Sequence, residues 1–205
     1  MCGRFYNHLK AMHNWSDLLG DWPGDASLLR YNVSPTNVVP LVAAGGVLFA
    51  HWGMIPSWAK EFKMNFATFN ARIETVEEKP SFKNAWKKGK TCVVPVGGYY
   101  EWKTENRIKQ PYVVHNPDSD IMLAGLWENW NDKTSFTVLT EEAKGKLVDL
   151  HPRMPVMLNK VQSKAWLAGA ELELTTQDED LLSFYRVDRK VGNSRNEGKD
   201  LIESL

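Results

Sequence analysis

Five runs of β-branched, aromatic and aliphatic residues follow one another through the middle of the chain, and short turns separate them. Such runs, bounded by turn residues, predict β-strands. Because strands joined by short turns lie side by side in opposite directions, the pattern predicts a curled, mostly antiparallel sheet with a barrel-like core. The predicted strands cover 91–96, 99–103, 111–115, 121–130 and 135–140, and a hairpin with a Gly45-Gly46 turn is predicted over 38–52.

Short helical segments flank these strands and place the chain in the α+β class. Helical spacing of apolar residues after His8 predicts a helix over 8–19 that ends at Gly20. Thr140 followed by two glutamates has the composition of an N-cap with an acidic first turn, which predicts a helix to about Leu150. Further short helices are predicted over 79–90, 160–168 and 177–183, and a short strand over 154–158.

The composition fits one folded domain over 1–205. With 205 residues, 43% hydrophobic content and nine tryptophans, the chain has enough apolar side chain for a substantial core. Its 25 basic residues balance its 25 acidic residues. This zero net charge argues against a broadly basic nucleic-acid-binding surface and still allows a local basic groove.

The cysteine count and the absence of targeting segments predict a reducing, cytosolic setting. Two cysteines, Cys2 and Cys92, make neither a disulfide framework nor a zinc site. The chain opens without a basic and apolar leader, and no apolar stretch is long enough to span a bilayer. We therefore expect no metal, no membrane partner and a free thiol at Cys2.

Cys2 has the most distinctive potential chemistry, because it follows the initiator methionine. Removal of Met1, expected before so small a residue, would leave an α-amine beside the thiol. An α-amine has a reference pKa of about 7.7–8.0, against about 10.4 for Lys, and a cation such as Arg4 would lower the pKa of the thiol. An aminothiol captures an aldehyde as an imine, and the sulfur then closes a five-membered thiazolidine. The same terminus could instead attack an amide.

Polar residues also interrupt an apolar run at 69–75. Asn70 could orient a reacting amine or carbonyl, and Arg72 could hold a phosphate through its fork of donors. On residue type alone, a surface loop with an ion pair between Arg72 and Glu74 is the favoured interpretation.

A second interrupted run covers 95–102. The pair Gly97-Gly98 lets the backbone approach another group closely, and Glu101 among aromatic residues suits general acid–base catalysis. A solvated Glu101 paired with Lys103 fits the same pattern equally well.

The segment 150–155 and the basic stretch 186–196 are two further candidates. His151 precedes Pro152, which favours extended geometry, and a histidine there could shuttle protons near neutral pH. Arg153 could add a phosphate contact. Each candidate also has a structural interpretation. His151 could simply end a helix, and the stretch 186–196 could be a polar terminal loop.

Six motifs occur in one order along the chain, and together they are highly specific. They are Met1-Cys2-Gly3-Arg4-Phe5, Tyr31-Asn32-Val33-Ser34-Pro35, Trp52-Gly53 with Pro56-Ser57-Trp58, Asn70-Ala71-Arg72-Ile73-Glu74-Thr75, Gly98-Tyr99-Tyr100-Glu101-Trp102 and His151-Pro152-Arg153-Met154-Pro155-Val156. This set resembles the SOS response-associated peptidase family, also described as abasic-site processing proteins, from Cys2 to about Ile202. The resemblance implies a curled, mostly antiparallel β core with flanking short helices.

The resemblance also implies a function. Family members sense abasic sites in single-stranded DNA and cross-link to them through the N-terminal cysteine, which shields the lesion as a thiazolidine. This implies single-stranded DNA with abasic sites as the partner, no cofactor, lyase-type imine chemistry and a self-processing thiol peptidase step before Cys2. We expect a monomer in the cytoplasm, associated with the nucleoid if the source is bacterial.

The motif match implies a role for each site residue. Cys2 would be the nucleophile, Asn70 would orient its amine or the sugar, Glu101 would be the general acid–base, and His151 would assist ring opening and proton transfer. The implied DNA contacts are the phosphate-holding Arg4, Arg72 and Arg153 and the groove-lining Asn32, Pro35 and Trp58. Base stacking on Trp58 would contribute about 1–3 kcal/mol.

Two alternatives stay open from the residues. Glutamine amidotransferases also begin with Met-Cys-Gly, so an N-terminal-nucleophile thiol amidohydrolase or peptidase is one. A non-covalent single-stranded DNA binder with an incidental Cys2 is the other. The chain also departs from residues common in the family at Ala59, Gly97 and Pro152, positions that bear on stacking and on the loop that holds His151.

Overall fold

The computed structural model describes residues 2–10, 12–20, 22, 29–170 and 179–205. Its strands, in chain order, are β1 (Phe5–Tyr6), β2 (Val38–Ala43), β3 (Gly46–Trp52), β4 (Asn70–Arg72), β5 (Thr91–Val96), β6 (Gly98–Glu105), β7 (Ile108–His115), β8 (Ile121–Trp130), β9 (Lys133–Glu142), β10 (Arg153–Pro155), β11 (Met157–Leu158) and β12 (Ser183–Arg186). The α-helices within these ranges are α1 (Ser16–Leu19), α2 (Lys83–Lys87) and α3 (Lys160–Leu167). Short 3₁₀ helices lie at Met12–Trp15, Ile73–Thr75, Gly145–Asp149, Glu179–Leu181, Arg189–Gly192 and Lys199–Ile202.

Five strands close into a barrel in the order β9, β3, β2, β5 and β8, and β8 pairs back to β9. Most of its pairs are antiparallel, whereas β3 runs parallel to β9 with Trp52 opposite Phe136. β4 is also parallel to β9 and places Asn70 opposite Val138. β10 pairs with β9 and β11 pairs with β8, both antiparallel. The predicted barrel-like, mostly antiparallel core is therefore confirmed.

The second sheet has the order β1, β6, β7 and β12. β6 and β7 form a hairpin whose turn residues Asn106 and Arg107 have φ of 50° and 67°, as the tight turns between twisted strands require. β1 pairs with β6 through Phe5 opposite Tyr99. This pairing ties the start of the chain to the strand that carries Glu101.

Both sheets contribute to the main core, and Cys2 lies within it. The ring of Phe5 on β1 packs 4.7 Å from that of Trp52 on β3, measured between centroids. Trp52 in turn stacks on Phe136 at 6.2 Å and donates its indole N–H to the carbonyl of Phe69 at 2.9 Å. The aromatic stack thus fixes the N-terminal segment against the barrel wall.

The strand pattern is confirmed in most of its parts. β5 and β8 have the predicted bounds, and the predicted hairpin forms as β2 and β3. α3 also forms where predicted, because Asn159 caps it reciprocally with Gln162.

The predicted helix after Thr140 is wrong. Thr140, Glu141 and Glu142 instead end β9, where Thr140 lies between Arg72 of β4 and Pro155 of β10. Their composition matches a helix start, but pairing with strands distant in sequence overrides that local preference. Only the 3₁₀ helix Gly145–Asp149 follows.

The boundaries of several other predicted elements also differ from those in the structure. The segment predicted as a helix over 8–19 forms the 3₁₀ helix Met12–Trp15 and then α1, which ends at Gly20 as predicted, and residue 11 lies outside the described residues. The 79–90 helix shortens to α2, and the 154–158 strand divides into β10 and β11. Residues 177 and 178 of the last predicted helix lie outside the described residues, and the rest of that segment forms the 3₁₀ helix Glu179–Leu181 and the start of β12. Among the helices of the described ranges, none is long and apolar enough to cross a membrane.

Candidate functional site

Cys2 lies at the centre of the candidate site and exposes no surface to solvent. Three residues later, Phe5 pairs with Tyr99 and forms a bridge to Val33, so backbone hydrogen bonds anchor the N-terminal segment on two sides. The thiol is therefore held in a fixed place inside the core rather than on a mobile end.

Asn70 is the polar side chain that reaches Cys2. It begins β4, and its amide Nδ2 donates to the backbone carbonyl of Cys2 at 2.7 Å. The other amide atom, Oδ1, is buried and has no hydrogen-bond partner within the described ranges. Since a buried unsatisfied acceptor costs about 1–3 kcal/mol, this atom is available for a donor brought by a substrate or by a free amine.

Glu101 is buried on β6, with 4% of its surface exposed. Successive side chains of a strand point to opposite faces, so Glu101 shares a face with Tyr99, two residues earlier. Its Oε1 accepts from the backbone N–H of Trp102 at 3.2 Å. Burial and then the Cys2 and Glu101 side chains raise the pKa of Tyr99 well above its usual value.

The expected lowering of the Cys2 thiol pKa by the Arg4 cation is not found: burial dominates, and Arg4 lowers this pKa only through a backbone hydrogen bond. Burial, and secondly the Glu101 carboxylate, raise that pKa to about 12. Arg4 points elsewhere: its guanidinium donates to Asn32 Oδ1 and to the carbonyl of Val191, both at 2.7 Å. At neutral pH the Cys2 sulfur accordingly keeps its proton.

Asn32 is fully buried and holds the C-terminal loop. Its Nδ2 donates to the carbonyls of Val191, Asn193 and Asn196 at 2.8–3.3 Å. Because Asn32 is buried and bonded to Arg4, it would affect DNA binding only by positioning Arg4. That either residue contacts DNA stays a prediction.

His151 follows the 3₁₀ helix Gly145–Asp149, and its backbone N–H donates to the carbonyl of Leu147 at 3.1 Å. Its ring is half-buried, and Nδ1 lies 3.0 Å from both the backbone nitrogen and the carbonyl oxygen of Arg153. Both of these contacts with the loop are made through Nδ1.

Arg153 pairs with Glu74, which the sequence pattern linked to Arg72 instead. Both guanidinium NH groups donate to the Glu74 carboxylate, at 2.6 and 2.9 Å, and one also donates to the carbonyl of Thr140 at 2.6 Å. Hydrogen bonding to Arg153 lowers the pKa of Glu74. Sequence spacing carries no signal for a pair whose members are 79 positions apart, so the role of Glu74 was not predictable.

A cleft of about 520 Å³ opens beside Asn70 and brings together several predicted contacts. Its lining includes Asn70, Arg72, Trp58 and Lys79. Trp58 is 55% exposed, and its indole N–H donates to the carbonyl of Pro80 at 3.2 Å. Phe66, 56% exposed at the same cleft, belongs to none of the sequence motifs and was not predicted. Pro35 lines a neighbouring cavity instead.

Gly97, a departure from the family pattern, has a structural reason. A Cβ atom there would lie 2.4 Å from the carbonyl oxygen of His8 and 2.4 Å from the ring of Tyr6. The backbone N–H of Gly97 donates to the carbonyl of Tyr6 at 3.0 Å. The predicted close approach at the Gly97-Gly98 pair is therefore confirmed, and it packs the N-terminal segment onto β6.

The described ranges contain no group of histidine, cysteine and acidic residues that could hold a metal ion. What the geometry defines is a β-barrel protein with a buried Cys2 whose carbonyl is held by the Asn70 amide, a buried carboxylate on β6, and an aromatic and basic cleft beside Asn70.

Comparisons with known proteins agree with this description. The family described as SOS response associated peptidase (SRAP) matches residues 1–194. The chain is 32% identical, over the full length of both proteins, to the abasic site processing protein YoqW of Bacillus subtilis (strain 168). It is 31% identical to the abasic site processing protein HMCES of Xenopus tropicalis, over 94% of this chain and 70% of the frog protein. A crystal structure of a Bordetella bronchiseptica protein, 23% identical, has the same fold, with a TM-score of 0.81 over 91% of this chain and 100% of that one. The chain belongs to the SOS response associated peptidase family.

Proposed function

We propose that this protein processes abasic sites in single-stranded DNA by forming a covalent cross-link through Cys2. The observation that carries the proposal is the hydrogen bond from Asn70 to the Cys2 carbonyl, in the space that also holds Glu101. Relatives that align over the whole chain are named abasic site processing proteins, which supports the choice of lesion.

The proposed reaction begins when hydrolysis of the Met1–Cys2 bond frees the α-amine. The amine adds to the aldehyde carbon of the opened deoxyribose, and loss of one water gives an imine. The Cys2 sulfur then attacks the same carbon, a C–S bond forms, and the thiol proton ends on nitrogen. The product is a thiazolidine. Condensation with the aldehyde releases one water, which balances the water consumed by the preceding hydrolysis, and methionine leaves.

Glu101 is suited to move the protons in these steps. It is buried close enough to the thiol to influence its ionisation. As a carboxylate it can receive the thiol proton during ring closure, and as an acid it can assist the departure of water. Asn70 Oδ1 is available to accept a hydrogen bond from the new amine, and His151 Nε2 would protonate the sugar oxygen during ring opening.

The protonated thiol favours this order of steps over attack on an amide. Thiol hydrolases attack with a thiolate, and burial of Cys2 raises its pKa to about 12, which disfavours a thiolate in the resting protein. In thiazolidine formation the amine attacks first, and the sulfur reacts only once the imine is in place.

Single-stranded DNA would lie along the cleft beside Asn70. Arg72 and Lys79 would bind phosphates, and Trp58 would stack with a base. Sequence-independent recognition needs such contacts rather than base-edge hydrogen bonds, so a protein of zero net charge can supply them locally. We further propose that the protein acts as a monomer in the cytoplasm.

A denaturing gel tests the proposal directly. Protein shown by intact mass to lack Met1 is mixed with single-stranded DNA that carries one abasic site, and a band resistant to denaturation is expected. Cys2→Ala should abolish this band. Cys92→Ala is the matched control, because it removes the other buried cysteine and should keep the band.

Three outcomes would overturn the proposal. They are the absence of a covalent band with processed wild-type protein, a covalent band that persists in Cys2→Ala, and release of ammonia from glutamine. A native-gel shift that survives Cys2→Ala, with no covalent band for the wild type, would identify a non-covalent binder instead.

A further inference from the structure

A second cavity of about 300 Å³ lies next to the cleft and shares Phe66 and Ala67 with it. Its lining includes His51, Phe62, Lys63 and Met64. A volume near 300 Å³ falls at the lower end of the range for small-molecule sites and suits a single flat ring system. Pro35, which the family resemblance implies as a DNA contact, lines this cavity, but the reaction and the phosphate and stacking contacts proposed above do not use it.

Phe62 forms a fixed aromatic wall in this cavity. Its ring is edge-on to the His51 ring at 5.0 Å and lies 5.9 Å from the ring of Trp130. The ammonium of Lys133 sits 4.9 Å from the Phe62 centroid. Three neighbours thus hold the ring in place, which lowers the entropy lost when a ligand stacks against it.

His51 gives the cavity a polar atom of defined character. Its Nδ1 lies 3.1 Å from the carbonyl oxygen of Gly53, and because a carbonyl cannot donate, Nδ1 must carry the proton. In the neutral ring, Nε2 is then a hydrogen-bond acceptor. Besides its aromatic and apolar side chains, the lining includes the hydroxyl groups of Thr36 and Thr68. Aromatic rings beside a few hydrogen-bonding groups match a nucleobase, which has flat faces to stack and a polar edge that donates and accepts.

The cavity has little charge. Lys63 is exposed and has no ion-pair partner in the part of the chain that the structure describes. It is the one lysine or arginine among the described lining residues, which include no aspartate or glutamate. Stacking rather than charge has to supply the affinity, which favours a base over a free phosphate as the occupant.

The chain itself limits how far this cavity lies from the reacting group. Phe66 and Asn70 are four positions apart, and an extended chain spans at most about 3.6 Å per residue. The two Cα atoms therefore lie within about 14 Å, the length of about four stacked nucleotides at about 3.4 Å each. A strand with its lesion at Asn70 can place a near neighbour at Phe66.

We propose that this cavity binds the base of a nucleotide close to the lesion on one side of it, with Phe62 as the stacking wall. The inference rests on the proposed function for the position of the DNA. It predicts that the protein binds a particular flanking nucleotide in addition to the lesion.

Base removal along the strand tests this proposal without covalent capture. The probe is a fluorescent single-stranded oligonucleotide with a stable tetrahydrofuran abasic analogue, and affinity is measured by anisotropy with Cys2→Ala protein. A second analogue is then moved through the flanking positions. For protein with Phe62 intact, one position within about four nucleotides of the lesion should weaken binding by about tenfold, in the range measured for removal of one stacked base.

Phe62→Ala in the same background should weaken binding to the parent strand by a similar factor and should remove the extra weakening at that position. Phe49→Ala is the matched control, because Phe49 is a half-exposed phenylalanine that lines a different cavity. Phe62→Tyr, which keeps the ring, should restore the positional effect, and Lys63→Ala should leave it in place.

Two results would overturn the inference: the same positional profile with and without the Phe62→Ala substitution, or the absence of any sensitive position. These results are separate from the gel test of cross-linking. A wild-type protein that cross-links with no Phe62-dependent position refutes only the cavity, whereas Phe62-dependent binding without a cross-link refutes only the proposed chemistry. Should Phe62→Ala fail to fold by circular dichroism, Phe62→Leu keeps most of the volume and tests the stacking alone.

Discussion

The N-terminal segment and the cleft meet at Asn70, yet they are built in opposite ways. Cys2 and Phe5 expose no surface, and an aromatic stack and two backbone pairings fix them. Across Asn70, Trp58 and Phe66 expose more than half of their surface. The enclosed region keeps Cys2 away from solvent, whereas the open region exposes rings and cations. Under the proposed function, the first region carries the reaction and the second binds DNA. Reaction rate and DNA affinity should therefore respond to different substitutions.

Glu101→Gln should have the largest effect, because it should lower the cross-linking rate and leave DNA affinity unchanged. We expect the cross-linking rate at saturating DNA to fall by about 100-fold, at the lower end of general acid–base contributions, because the amide cannot exchange the proton. The DNA concentration for half-maximal rate should not change. Quenched time courses on denaturing gels provide both quantities.

Glu105→Gln provides the control for this change on the same strand. Glu105 accepts from Tyr112 and pairs with Arg186, away from Cys2, so the rate of this variant should equal that of the wild type. A Glu101→Gln protein that reacts at the wild-type rate, or whose DNA affinity falls in proportion to its rate, would remove the proposed role.

Gly97→Ala tests the tight packing of the enclosed region. The added methyl would meet the His8 carbonyl and the Tyr6 ring at 2.4 Å, and overpacking of this kind destabilises by about 1–3 kcal/mol. Gly45→Ala is the matched control, because nothing lies within 4 Å of its Cβ position, and a change within about 0.5 kcal/mol is expected there. Urea unfolding of the two variants measures the difference, and equal stabilities would contradict the packing described.

Arg72→Ala and Lys79→Ala should affect only the open region. Each removes a cation from the cleft, so binding should weaken and the slope of log affinity against log salt should become shallower by about 0.7 for each phosphate that is no longer neutralised. The rate at saturation should stay at the wild-type value. Lys109→Ala, which replaces an exposed lysine on β7, should leave the slope unchanged. An unchanged slope for Arg72→Ala and Lys79→Ala would place the DNA elsewhere.

Local patterns predicted the features that depend on neighbours in sequence. The hairpin over β2 and β3 follows from β-branched and apolar runs on either side of Gly45-Gly46. The chemistry assigned to Cys2 from its position after Met1 stays a prediction. The barrel followed from short turns between strands, although the parallel pairing of β3 and β4 with β9 has no local signal.

The features that the sequence did not predict depend on contacts between residues far apart in the chain. Thr140 resembles a helix cap until β4 and β10 pair with it from distant positions. Arg4 is close to Cys2 in sequence, but the C-terminal loop and Asn32 bind its guanidinium. Burial and then Glu101 raise the thiol pKa instead. No sequence motif contains Phe62 or Phe66. Folding places Phe66 in the cleft with Asn70 and Phe62 in the neighbouring cavity.

Glu74→Gln should give the smallest effect, on stability and not on rate. Arg153 lowers the pKa of Glu74, so the folded state favours the carboxylate. This contribution is fully present above the unfolded pKa of about 4.3 and is lost as the pH falls through the lowered folded value. Because 44% of the Glu74 side chain is exposed, solvent screening limits it to less than about 1 kcal/mol. Urea unfolding at several pH values should show the variant less stable at neutral pH, with the difference vanishing in acid. In an Arg153→Gln background the same substitution should have no such effect; a pH-independent destabilisation in both backgrounds would show that the ion pair is not its source.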